Sequence, residues 1–211
     1  MPDLQRVLEG LEQYPSDTDS PIYPLEELQP PANWGFTIYR TYYGPSSDDN
    51  WNKLLVATKK HAEEELMTYD DDEAIEKLKE LFRLDARSDP SLLSGLDRKA
   101  LCQIYHEGKG GKPMPEKEGF VFLLADEDVL NQVGEGTFIV KAVDAEETPR
   151  EEIPLREDDD EPTYWGWMRM ETRQLLELWG ELEWFRGFDC MAWTVHQADL
   201  DEQVWEGSDA D

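Results

Sequence analysis

The stretch Gly119 to Ala145, GFVFLLADEDVLNQVGEGTFIVKAVDA, packs a strand, a short helix and a second strand into one run, and it decides how the rest of the chain is read. Phe120 to Ala125 is continuously apolar, the mark of a strand covered on both faces. Thr137 to Val143 is rich in β-branched residues and reads as the next strand. Between them, Asp126 to Val133 reads as one or two helical turns. They open with acids that suit the positive end of a helix dipole and stop at Gly134 and Gly136.

Upstream, Asn33 to Tyr43 (NWGFTIYRTYY) is dense in aromatic and β-branched residues and ends at the turn signal Gly44-Pro45, so it is the first strand. Three helices are predicted before the second strand. One covers about 48–68, begun by Ser46 to Asp49 and carrying Trp51, Leu54, Leu55, Thr58, Ala62 and Leu66 at helical spacing. The next opens near Asp70 and Glu73 and carries Ile75, Leu78 and Leu81; the third lies near 96–107, with Gly108 as its stop. Downstream, Tyr164 to Met170 is a fourth strand, Thr172 opens a helix bearing Leu175, Leu176, Trp179 and Leu182, and Cys190 to Val195 makes a fifth strand. Helices are thus segregated from a run of strands. That order predicts an α+β fold with a mainly antiparallel sheet of four or five strands and helices packed on one face, ferredoxin-like with inserted helices being the specific expectation.

The domain division follows composition. Residues 1–32 read as an N-terminal arm, an amphipathic helix with Leu4, Val7, Leu8 and Leu11 on one side and then a proline-rich stretch from Pro15, which either packs back on its own domain, the preferred reading, or offers its Leu stripe to a partner. Residues 33–196 form a single domain interrupted by an acidic loop at 144–162, and 197–211 form an acidic tail. The formal charge is −29, and the arm, the loop and the tail together carry −20 of it. A chain so acidic lacks the basic stripe that nucleic-acid phosphates require, which argues against direct nucleic-acid binding. No apolar run approaches a membrane span, and the start MPDLQRVLEG has no basic segment leading into an apolar one, so no membrane partner is expected and the setting is read as cytoplasmic or nuclear. Cys102 and Cys190 are too few and too far apart for a disulfide framework or a metal site.

The W-G-F-x-I-Y-R-T-x-Y pattern at 34–43, the Ser/Asp-capped helix with Trp51, the run FVFLLADEDVL and the G-W-M-R at 166–169 resemble a family of fungal proteins to which no activity is attached. The resemblance spans roughly residues 33–196. It implies a fungal, non-secreted setting and supplies no functional residue.

Familiar chemistry is missing from the sequence. His61, His106 and His196 have no zinc-ligand spacing, so neither a metal nor a cofactor is expected. Asp126-Glu127-Asp128 after an apolar strand is where carboxylates can hold Mg²⁺ or Ca²⁺, but it also suits the first turn of a helix. Gly108 to Pro113 (GKGGKP) lacks the Gly-Lys-Ser/Thr step into a helix that a phosphate loop needs and reads as a connector. Two arginines stand out. Arg40 shares the face of Trp34, Phe36 and Ile38, and Arg169 shares the parity of Trp165 and Trp167. A guanidinium on a core-facing row is paired, stacked on a ring, or at the end of the sheet. Glu171 and Asp126 are the candidate partners, and the alternative is a pocket for an anionic ligand lined by Arg40, Tyr39, Tyr42, Trp165, Trp167 and Arg169. Two functions follow. The first is a non-catalytic interaction protein that meets a protein partner through the N-terminal Leu stripe or the acidic arms. The second is a small-molecule-binding protein or enzyme built on that pocket.

Overall fold

A computed structural model describes residues 3–13, 32–114, 121–146, 164–184, 188–192 and 202–207. Of the expected fifth strand at 190–195, residues 193–195 lie outside them, and where it begins the chain is instead helical, in α8 (Phe188–Met191). Most of the proline-rich stretch and of the acidic loop also lie outside the described residues.

The chain is α+β, but its sheet is neither mainly antiparallel nor limited to five strands. β1 (Trp34–Arg40), β2 (Phe82–Arg87), β3 (Val121–Ala125), β4 (Ile139–Asp144), β5 (Trp167–Glu171) and β6 (Val204–Trp205) lie in the order β2-β1-β3-β4-β5-β6. β1 runs parallel to both β2 and β3, β5 runs parallel to β6, and only β3–β4 and β4–β5 are antiparallel. The ferredoxin-like expectation fails on those parallel pairs. The reason is that parallel neighbours need long crossovers, and the helices read as insertions are the crossovers themselves. α2 (Ser47–Leu66) and α3 (Asp72–Leu81) carry the chain from β1 to β2; α4 (Pro90–Leu93) and α5 (Arg98–Glu107) carry it from β2 to β3.

Helices cover both faces, not one. Trp34, Phe36 and Ile38 of β1, with Val121 and Leu123 of β3, pack under α1 (Leu4–Gln13), α2, α3, α6 (Glu127–Glu135) and α7 (Leu175–Trp184) in the larger core. Tyr39, Phe122, Leu124, Val143 and Trp167 face the other way, against Leu101, Ile104 and Tyr105 of α5. All seven residues of β1 are buried as a result. Gly35 is required there: its φ is +127°, and a Cβ would lie 1.8 Å from the Arg83 carbonyl oxygen on β2.

Both terminal segments join the core. The Leu4, Val7, Leu8 and Leu11 stripe is buried on its own domain, Gln5 Nε2 donates to Asp71 Oδ2 at 2.6 Å, and the Ala32 amide donates to the Leu11 carbonyl at 3.0 Å. The stripe packs on its own domain, the preferred of the two readings, and is not a free docking face for a partner. Within the acidic tail, Val204 and Trp205 pair with Arg169 and Met170, and Trp205 is buried.

Candidate functional site

Arg40 ends β1 at the point where the crossovers part, since the one leaving β1 runs over the Trp34 face and the one leaving β2 over the Tyr39 face. Its residue is 4% exposed. Nε donates to the Tyr42 carbonyl at 2.8 Å, and Nη2 donates to Ser47 Oγ at 2.8 Å and to Asp48 Oδ1 at 2.6 Å. The Ser47 hydroxyl in turn donates to the Gly44 carbonyl at 2.6 Å, and the guanidinium lies 4.4 Å from the Tyr43 ring centroid. The carboxylate is therefore Asp48, in the first turn of α2, and not Glu171 or Asp126. Its side chain is 88% exposed.

Arg169 lies on the opposite face of the sheet. Register places Tyr39 beside Leu124, Leu124 beside Lys141, and Lys141 beside Arg169, so these share the α5 side while Arg40 is on the α2 side. Arg169 Nη2 donates to Gln132 Oε1 at 2.7 Å. Of the six residues expected around one pocket, Tyr39, Trp165, Trp167 and Arg169 belong to the α5 side; Tyr42 packs with the larger core and Arg40 points away from the other four. Asp126 takes Lys141: Nζ donates to Oδ2 at 2.7 Å, while Oδ1 caps α6 by accepting from the Val129 amide at 3.1 Å. That is the helix-start role of the Asp126-Glu127-Asp128 run, and among the described residues no group of three or more His, Cys, Asp or Glu is placed to hold a metal. The GKGGKP connector is held to β2 by Arg87, which donates to the Gly110 carbonyl and, at 2.8 Å, to the Lys112 carbonyl.

A different feature went unread in the sequence. Along the outer side of α2 runs an open groove of about 660 Å³ with Val56, Ala57 and Phe138 as its apolar members and Asp49, Asn52, Lys53 and Lys60 as its polar ones. Val56 is 71% exposed. His61 also lines it, its Nδ1 2.7 Å from Thr172 Oγ1 and its ring edge-on to Phe138 at 5.5 Å. Burial, and then the nearby Arg173, hold the imidazole below its ordinary pKa, so it is neutral at pH 7 and adds no charge. One signal for the groove exists in the sequence: Val56 is a β-branched apolar residue off the buried stripe of α2, set between Lys53 and Lys60.

No family model, curated protein or solved structure matches the chain. Among the described residues, no helix is long and apolar enough to cross a membrane.

Proposed function

We propose that this chain is a non-catalytic interaction protein whose docking surface is the groove along α2. The observation that carries the reading is Val56: a β-branched apolar side chain, 71% exposed, set over an open groove whose other apolar members are Ala57 and Phe138. An exposed apolar residue alone means little, but one seated in a groove rimmed by polar side chains is the arrangement of a helix-in-groove or side-chain-in-pocket contact. A random peptide library displayed on phage and panned against the full chain should enrich sequences with a central aliphatic or aromatic residue, and the Val56→Glu protein should enrich none of them. Enrichment that survives Val56→Glu sinks the groove as the docking surface. A cytoplasmic or nuclear setting goes with this reading, supported by the buried, free thiol of Cys102, which suits a reducing compartment. The acidic segments remain a second proposed surface, suited to basic partners.

The anionic-ligand alternative keeps a narrower form on the α5 side. Arg98 lies 4.4 Å over the Trp167 ring, Lys141 Nζ lies 5.4 Å from its centroid, and Arg169 is the cross-strand neighbour of Lys141. Two cations over one indole, with a third on the neighbouring strand, in a chain of charge −29 are the observation that favours it. Aromatic carboxylates or phosphate that raise the melting temperature of the wild type but not of Trp167→Leu support it; no shift with any anion removes it.

A further inference from the structure

We propose that the α2 groove takes an acidic amphipathic helix, which inserts one apolar side chain beside Val56 and sets a carboxylate against each of Lys53 and Lys60. The inference rests on the groove reading above and names the chemistry of its partner.

Charge makes the first argument. The groove's lining carries two lysines, Lys53 and Lys60, to one acid, Asp49, on a chain whose total is −29. Lys53 makes no ion pair among the described residues. Lys60 reaches Glu64 at 2.8 Å, yet its side chain is 68% exposed and an ammonium has donors for a second carboxylate. A basic partner meets two like charges here. An acidic one meets repulsion over most of the surface and attraction at this groove, which gives the site its selectivity.

Geometry makes the second. Lys53 and Lys60 are seven residues apart on a straight α-helix, about 10 Å along its axis, with Val56 and Ala57 between them. Two carboxylates seven residues apart on a partner helix span the same distance and leave an apolar residue between them to meet Val56. An extended peptide with acids three residues apart also spans it. Such a peptide, however, takes much of its affinity from main-chain hydrogen bonds to a sheet edge, and the outer side of α2 offers side chains only.

The test uses the full chain and three fluorescein-labelled, N-acetylated, alanine-based helical peptides, followed by fluorescence anisotropy. The first carries Glu-x-x-Leu-x-x-x-Glu, the second has Lys for both Glu, and the third has Ser for Leu. The Glu peptide should bind the wild type about tenfold more tightly than the Lys peptide, the sum expected from two exposed ion pairs and two relieved repulsions. The Lys53→Glu/Lys60→Glu protein should reverse that order, and the Ser peptide should bind neither protein. If the Lys peptide binds the wild type as tightly as the Glu peptide and Val56→Glu abolishes both, the acidic partner is wrong and the groove stands. If no peptide binds, or if binding is indifferent to both Val56→Glu and the lysine reversals, groove and partner fall together. The substituted side chains are exposed, and a circular dichroism melt confirms that each variant is folded.

Discussion

At the scale of single residues, Arg40 shows how a buried guanidinium is kept. Its partners come from the turn after its own strand and from the start of α2, so the sequence already held them within eight positions. The pair is lopsided, with an arginine 4% exposed and an aspartate 88% exposed. Removing the exposed member should hurt because it leaves the buried charge without an anion, whereas removing both leaves no buried charge to satisfy. Asp48→Ala should cost about 1–3 kcal/mol by urea denaturation, less than for a fully buried pair because Asp48 is wet. In an Arg40→Met background the same change should cost almost nothing. Equal costs in both backgrounds exclude the ion pair as the cause. Glu65, in the last turn of α2, is the second such residue: its two carboxyl oxygens accept from the Leu176 and Glu177 amides at 2.9 Å, at the N-terminus of α7. Burial pushes its carboxyl up to about 8, against the pull of those N–H groups. A raised acid holds its proton more tightly folded than unfolded, so its stabilising contribution is complete below about pH 4.5 and is lost as pH rises through about 8. Glu65→Gln should flatten the fall in stability between pH 5 and 8.5 by an amount on the order of 2–4 kcal/mol. An unchanged pH profile refutes it.

At the scale of elements, legibility followed local pattern. β1, β3, β4, β5, α2, α3, α5, α6 and α7 were readable because alternation, apolar runs or helical stripes with capping acids sit in contiguous sequence. Asp71, Asp97 and Asp126 each accept from the backbone amide three residues on, as such acids should. β2 was missed because FRLDAR has no β-branched residue and alternates charge, which suits an edge strand but gives no strand signal. β6 was missed because two residues in an acidic tail carry no periodicity at all. Parallel pairing was out of reach, since strand direction depends on which crossover each helix makes. The candidate site was legible only in fragments: Arg40 was marked by parity, but the split between faces and the groove needed tertiary placement. Two substitutions test the missed elements. Trp205→Ala should cost about 3–5 kcal/mol, the range for truncating a buried aromatic, and deleting 200–211 at least as much. A deletion that melts like the full chain shows that β6 contributes no packing. Gly35→Ala forces a Cβ into the Arg83 carbonyl on β2, and it should leave the protein unfolded or destabilised by more than about 4 kcal/mol, read by near-ultraviolet circular dichroism.

At the scale of the whole molecule, charge sets two opposing responses to salt. Surface ion pairs such as Lys77–Glu73, Lys79–Glu76 and Arg173–Glu64 weaken as salt is added, but each exposed pair is worth about 0.2–1 kcal/mol at most. Against them stands the self-repulsion of a chain carrying −29, which disfavours any compact state and is screened once the Debye length falls below about 10 Å. Repulsion is summed over many more pairs than attraction is, so it wins. Raising NaCl from about 0.05 to 0.5 M should therefore raise the melting temperature by a few degrees. Sucrose at matched osmolality, which does not screen charge, is the control; a melting temperature that falls with NaCl shows that the local ion pairs dominate instead. The same balance shapes recognition at the groove. An acidic helix approaches against the long-range field and is held by two short-range lysine contacts, so salt speeds its arrival while loosening its grip. Its affinity should vary less with salt than that of a basic peptide binding the acidic surface at large, which should weaken steadily over the same range. If both peptides show the same steep loss, no local positive site separates them.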